Sequence, residues 1–450
     1  MRQLLTRRDW LRAASLAALP LARAADSRPN ILWIWCDNLA YEDLGIYSGD
    51  ETRSPVINRL ARQGVRFTQY YIAHTVCSPS RAALLTGRQP FRCGVVDVLR
   101  PDGPSGLPED EITLGQALRD LGYATQAIGK WHLGDRREFL PTRRGFDHYF
   151  GIPYSMDMLP TIVYRDEEIV DNLDGAKVET ITERYTDEAI RFVTEKRERP
   201  FFLYFSHTIP HPPLNLPARV RRPGHSIYDD AIAHMDAETG RFLDALEKHG
   251  LTENTLIFFS SDNGPMGAGG QTGRLRGRIR DAYEGGIRVP LIARWPGHIP
   301  ENRVVEAPAI AYDIFPTLMR VANGALPAGR VYDGQDILPL LTGDTPALGS
   351  GTGFNRIQPF FWIYLDNVTT VRHGRWKLHV AHRNETLPEP ELYDVEADPE
   401  ESRNLATAHP EEVRRLKELI AGQQRQVPKV WGLQYPVRDP AKLPGGVRRQ

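Results

Sequence analysis

The sequence predicts an α/β protein: a large, mostly parallel sheet sandwiched by helices, followed by a smaller C-terminal α+β domain. Three observations carry this. Apolar runs of strand length alternate with helix-like segments, as a parallel sheet covered on both faces requires. Helix-like segments open on proline or a capping residue and stop at glycine. Beyond about residue 345 the texture changes, and a glycine-rich break at 349–353 gives way to short strand-like pieces.

Residues 31–36 are almost wholly apolar, the pattern of a strand buried on both faces. Ser54-Pro55 opens a helix that stops at Gly64. Residues 113–121, closed by Gly122, repeat that grammar and lead into a strand over 123–128. A helix over 185–196 and a strand over 201–206 follow, then a long helix over 228–249 closed by Gly250, and a strand over 256–260. In the second domain, 360–364, 369–372 and 376–380 read as strands and 411–423 as a terminal helix. The expected domains are 25–345 and 346–450.

With 450 residues, 41% hydrophobic and 25% charged, the chain has the profile of a soluble globular protein. Its 56 basic and 57 acidic residues leave a net charge of −1, which supplies no electrostatic footprint for nucleic acid. Residues 1–24 read as an export signal: Arg7-Arg8 with Trp10 and Leu11, an apolar stretch, then Ala22-Arg23-Ala24. The paired arginines favour the twin-arginine export machinery, which carries folded proteins. The mature chain is therefore expected in the periplasm or secreted. No later apolar stretch is long enough for a bilayer, so no stable membrane insertion is expected.

Three cysteines (Cys36, Cys77 and Cys93) leave at least one unpaired, so disulfides do not frame the fold. Cys36 lies in an apolar run and reads as core. Around Cys77, Ser78-Pro79 starts a helix that stops at Gly87. Cys77 would then cap a helix whose dipole favours an anion, with Arg81 one turn on along the same face. Two strands also echo each other: one ends in Asp37-Asn38, the other in Asp262-Asn263. Ligand sites of open α/β sheets lie beyond the carboxyl ends of the strands. Two Asp-Asn pairs there can supply oxygen ligands for Ca²⁺ or Mg²⁺, or simply start turns.

Cys77-Ser78-Pro79-Ser80-Arg81 matches the C-x-P-x-R signature of the sulfatase family, within the alkaline phosphatase superfamily. The resemblance covers nearly the whole mature chain. Asp37 with Asp43-Leu44-Gly45 resembles the family's first metal motif, and Gly129-Lys130-Trp131-His132-Leu133-Gly134 its G-K-W-H-L-G segment. The loop from Gly151 to Ser155 is similar to the serine-bearing loop of arylsulfatase A-like members. Pro210-His211-Pro212 matches the histidine segment, Asp262-Asn263-Gly264 the second metal motif, and Tyr283-Glu284-Gly285-Gly286 the loop after it. Leu392-Tyr393-Asp394, Asp398-Pro399 and Asn404-Leu405 resemble the C-terminal domain.

The resemblance implies an alkaline phosphatase-like fold and hydrolysis of a sulfate monoester on a sulfated small molecule or carbohydrate. It implies a formylglycine-generating maturase that oxidises Cys77 to formylglycine, whose metal-bound hydrate attacks sulfur. Asp37, Asn38, Asp262, Asn263 and position 77 would hold the metal, Ca²⁺ in preference to Mg²⁺. Arg81 would hold the hydrate; Lys130 and Ser155 would bind sulfate. His132 would deprotonate the second hydroxyl of the hydrate, and His211, supported by His207, would protonate the leaving alcohol. Two positions depart from the family: Asn38 stands where a second aspartate is usual, and Ile279 where a lysine is expected. Arg278, ahead of Arg280, is expected to supply the missing charge. A phosphate or phosphonate monoester hydrolase on the same fold, and a catalytically inactive sulfated-glycan binding protein, stay open as alternatives. Segments 97–108, 154–176 and 382–390 are the expected specificity loops.

Overall fold

The computed structural model describes residues 28–101, 103–173, 175–195, 199–267, 273–344 and 358–428. The export signal, the expected boundary at 345/346 and the break at 349–353 lie outside the described residues. Among the described residues, ten strands form one sheet. They are β1 (Asn30–Cys36), β2 (Val65–Phe67), β3 (Ala124–Gly129), β4 (His148–Gly151), β5 (Ile162–Arg165), β6 (Glu168–Asn172), β7 (Phe201–Ser206), β8 (Thr255–Ser261), β9 (Leu291–Arg294) and β10 (Arg303–Val305). Their spatial order is β10-β2-β9-β8-β1-β7-β3-β4-β5-β6. The five central strands, β8, β1, β7, β3 and β4, run parallel. Antiparallel strands flank them, β9 on one side and the β5-β6 hairpin on the other.

Burial on both faces explains why β1 is an unbroken apolar run. Ile31, Trp33 and Trp35 enter one core, and Leu32, Ile34 and Cys36 the other. The helices that cover the sheet include α1 (Pro55–Arg62), α2 (Cys77–Thr86), α3 (Leu114–Asp120), α4 (Ile181–Thr194) and α5 (Ile227–Lys248). Pro55 sits in the first turn of α1. Thr113 Oγ1 and Ser226 Oγ accept from the N–H groups of Gln116 and Asp229, the third residue of each helix, capping α3 and α5.

Local differences from the sequence reading have physical causes. α4 starts one turn earlier than 185, because Ile181 and Tyr185 are both buried and continue one helix face. Cys77 is the first residue of α2; extended Val76 takes the cap position. The 154–176 segment contains the β5-β6 hairpin, turned at Asp166 (φ 55°). Its outer strand carries Glu168, Asp171 and Asn172 on an open edge, so it lacks an apolar signature.

A second, four-stranded antiparallel sheet forms the small domain: β11 (Phe360–Tyr364), β12 (Asn367–His373), β13 (Trp376–His382) and β14 (Glu385–Asp394). Leu416 and Ile420 of α6 (Pro410–Gln424) pack on Val371, Leu378 and Leu392. The expected 382–390 loop is thus a short turn followed by an edge strand, a place that tolerates Pro388 and Pro390. Trp362 anchors this domain to the large one: its ring joins the large core and its Nε1–H donates to the Ile72 carbonyl at 3.0 Å.

Candidate active site

The parallel register builds the site. Cys36 of β1 lies opposite Ser261 of β8, so the chain leaves both strands at one level, with Asp37-Asn38 emerging beside Asp262-Asn263. On the other side of β1, Trp35 lies opposite Ser206 of β7, and Ser206 opposite Gly129 of β3. Lys130 follows β3, and Ser155 follows β4 beyond it. Adjacent strand ends thus deliver the expected side chains to one rim, as doubly wound sheets do. The Asn38 N–H donates to Asp262 Oδ1 at 3.1 Å, and Asn38 adopts φ 66°, which asparagine tolerates well.

Helix α2 brings position 77 to that rim. Cys77 Sγ lies 3.7 Å from Asp37 Oδ1 and 3.9 Å from Asn38 Oδ1. Donor atoms of Asp37, Cys77 and Asp262 all fall within 4.8 Å of one another, in a buried group that can hold a metal ion. Two buried cations face the two carboxylates. Lys130 Nζ donates to Asp37 Oδ2 at 2.7 Å and to Ser155 Oγ at 3.1 Å. Arg81 donates to Asp262 Oδ2 from Nε at 3.0 Å and from Nη2 at 2.6 Å. Its Nη1 donates to the Lys130 carbonyl at 2.8 Å and to Ser206 Oγ.

Electrostatics divides these groups. Burial pushes the Asp37 pKa up, but Lys130, His211 and Arg81 outweigh it and hold the carboxyl below its ordinary value. At Asp262 burial prevails over Arg81, and the pKa rises. Burial, then the neighbouring Asp262, push the Cys77 thiol well above its usual range. This disfavours the thiolate, the form in which a cysteine sulfur is nucleophilic.

Several polar atoms at the rim have no protein partner among the described residues. His132 Nε2 lies 2.9 Å from the Leu99 carbonyl. A carbonyl only accepts, so Nε2 carries the proton, and the buried Nδ1 keeps an unpartnered lone pair. Burial, with Lys130 and Arg81 adding to it, keeps this imidazole neutral. Asn263 donates from Nδ2 to Asn38 Oδ1, and its buried Oδ1 has no partner. His211 is buried, acts on the charge of Asp37, and turns Nδ1 to the Pro212 carbonyl. His207 is placed differently. It packs on Phe205 with ring centroids 4.4 Å apart, and burial, then His234, depress its pKa to about 3.

A cavity of 410 Å³ opens between the domains, beginning at His74 and Thr75 just before α2. The carboxylate cluster is buried beneath the rim and does not line it. Arg280 lines the cavity and Arg278 does not; Arg278 is exposed, its N–H on Asp281 Oδ2. Strand-like alternation does not apply to this segment, because Gly277 (φ 89°) and Arg280 (φ 75°) turn the backbone left-handed. Arg280 is pinned by its N–H to the Thr75 carbonyl at 2.9 Å. The sequence reading also missed Ser206, the last residue of a recognised strand, and His74, whose surroundings come from the distant small domain.

Comparison with known proteins agrees with this geometry. A family model described as Sulfatase matches residues 29–325. One described as N-sulphoglucosamine sulphohydrolase, C-terminal, matches residues 278–426. Arylsulfatase A of Homo sapiens is 36% identical, covering 90% of this chain and 89% of its own. N-acetylgalactosamine-6-sulfatase of Canis lupus familiaris is 35% identical, covering 82% of this chain and 75% of its own. The crystal structure of Ps i-CgsB in complex with k-i-k-neocarrahexaose superposes with a TM-score of 0.79 at 26% identity, covering 89% of this chain and 94% of that one. With the signature helix, the paired Asp-Asn strand ends and these relatives in agreement, the chain belongs to the sulfatase family and is a sulfuric ester hydrolase.

Proposed function

We propose that the chain hydrolyses sulfate monoesters of carbohydrates, using a formylglycine derived from Cys77 and a divalent cation, Ca²⁺ in preference to Mg²⁺. The observation that carries this reading is the register of Cys36 against Ser261, which sets two Asp-Asn pairs side by side next to Cys77 Sγ. Their chemistry fits a hard cation. Asp37 Oδ2 is taken by Lys130, while Oδ1 faces Cys77, and Asn263 Oδ1 is buried without a partner among the described residues. Asp37, Asn38, Asp262, Asn263 and position 77 would hold the ion. The cation with a hydrated formylglycine supplies a hydroxyl acidic enough to act as nucleophile toward sulfur at neutral pH.

The chain's own residues do the rest. Lys130 Nζ, steadied by Asp37 and Ser155, presents positive charge to a sulfate oxygen, and Ser155 Oγ offers a further hydrogen bond. Arg81 fixes Asp262 and brings a second buried cation beside position 77. His132 is held by Leu99 so that Nδ1 can accept a proton at the end of the reaction. His211, with its Nδ1–H turned to the Pro212 carbonyl, would protonate the departing sugar oxygen from Nε2 in its imidazolium form, and return to the neutral ring. Arg280, not Arg278, takes the role of the missing lysine, because it lines the cavity.

Cys77 is 3% exposed, so a maturase must reach it before the chain closes around it. Maturation ahead of twin-arginine export, with a periplasmic or secreted product, fits that order. No helix of the described residues is long and apolar enough to cross a membrane. The carbohydrate assignment draws on relatives: one named N-acetylgalactosamine-6-sulfatase and one solved in complex with k-i-k-neocarrahexaose. Chelation tests the cation site. Stripping metal should abolish aryl sulfate turnover and lower the unfolding temperature, and Ca²⁺ should restore both. Turnover and stability indifferent to chelator would overturn it.

A further inference from the structure

We propose that His74 recognises the alcohol half of the ester, as hydrogen-bond partner to a hydroxyl on the sugar ring that carries the sulfate. The inference rests on the reading of the Cys77 site given above. His74 lines the cavity between the domains and is 3% exposed. It stands three residues ahead of Cys77, and Ser80 Oγ in the first turn of α2 donates to its carbonyl at 2.9 Å. The residue is thereby tied to the helix that carries position 77. The Ile363 backbone hydrogen-bonds the ring on one side, which leaves the other ring nitrogen buried with no partner among the described residues. Buried polar groups are nearly always paired, and the cavity is where a partner for this one can enter.

The other walls suit a hydroxylated ring. Arg280 stands on the same side, held to Thr75. His382 and Asn384, at the turn between β13 and β14, belong to the small domain's side. Trp362 has already committed its N–H to Ile72, so only its ring is left to offer. At 410 Å³ the cavity lies in the range of small-molecule sites, about 300–1,000 Å³. An unsubstituted aryl ring or a sterol would leave the free nitrogen of His74 unpaired, whereas a sugar hydroxyl satisfies it. Burial, with Arg280 adding to it, lowers the His74 pKa to about 4. With its single N–H turned to the Ile363 backbone, the neutral ring keeps one lone pair, which can accept from a sugar hydroxyl.

His74→Phe keeps a ring and removes both nitrogens; His74→Gln keeps a donor and an acceptor. The probes are a panel of monosulfated hexoses and N-acetylhexosamines, and nitrophenyl sulfate, which has no sugar hydroxyl. On the best sugar of the panel, His74→Phe should lose at least about tenfold more kcat/KM than on nitrophenyl sulfate, with His74→Gln in between. Calorimetry with unmodified Cys77 protein should show the Kd for that sugar weakening in parallel. Equal losses on sugar and nitrophenyl esters, or unchanged sugar kinetics in either folded variant, would overturn the role of His74. Wild-type protein that hydrolyses no sulfate ester of the panel would instead overturn the reading of the site itself.

Discussion

The cluster around Asp37 and the cluster around Glu284 are both made of buried acids and bases, and they differ in what they leave unpaired. At Glu284, Lys377 Nζ reaches Glu284 at 2.9 Å and Glu401 at 3.0 Å. His379 lies 3.0 Å from Glu401 by Nε2 and 3.0 Å from Thr370 Oγ1 by Nδ1. Tyr71 donates to Glu284 at 2.6 Å, and the Glu284 N–H donates to Glu401 at 2.6 Å. The network joins the two domains and closes on itself. At Asp37 the ion pairs are as close, yet Asn38 Nδ2, Asn263 Oδ1 and His132 Nδ1 have no partner among the described residues. A satisfied buried network is a joint, and one with outstanding bonds is a site prepared for something else.

Breaking the open cluster should have the largest effect. Asp37→Asn keeps the shape and removes the charge that Lys130 and a bound cation both need. Steady-state kinetics on an aryl sulfate should show kcat/KM down by at least about 10³, or about 4 kcal/mol. A loss under tenfold in folded protein would remove Asp37 from the site.

Breaking the closed cluster should cost stability instead. Lys377→Met leaves Glu284 and Glu401 facing each other without their shared cation, a loss of about 3–5 kcal/mol in urea unfolding. Turnover per folded molecule should stay within about threefold, since Lys377 belongs to a separate network. A folded but inactive variant would show that the two clusters act as one.

The smallest effect sharpens the edge of the open cluster. Arg280→Ala should lower kcat/KM about tenfold, or about 1.4 kcal/mol, and Arg278→Ala less. Arg278 is exposed and Arg280 lines the cavity, so the reverse ranking would restore Arg278 to the role expected of it from the sequence.

These contrasts follow what was legible in the sequence. Asp37-Asn38 and Asp262-Asn263 could be read because each pair ends a strand of continuous apolar residues, and a parallel register aligns such ends. Cys77 was marked by a helix start with Arg81 one turn on, while its chemical role, like those of Lys130 and His132, came from resemblance. Arg280 could not be chosen over Arg278, because strand alternation says nothing about left-handed turns at Gly277 and Arg280. His74 had no signal, since the cavity it lines is completed by a hairpin some three hundred residues away. The edge strands β6 and β14 were hidden by the charges and prolines that exposed edges permit.

The central claim is that the Cys77 thiol is a precursor, and that its place in the open cluster is taken by a formylglycine. Mass spectrometry of the peptide bearing residue 77, from protein that turns over an aryl sulfate, tests this most directly. The account predicts a residue about 18 Da lighter than cysteine. Fully active protein in which residue 77 is unmodified cysteine would contradict it.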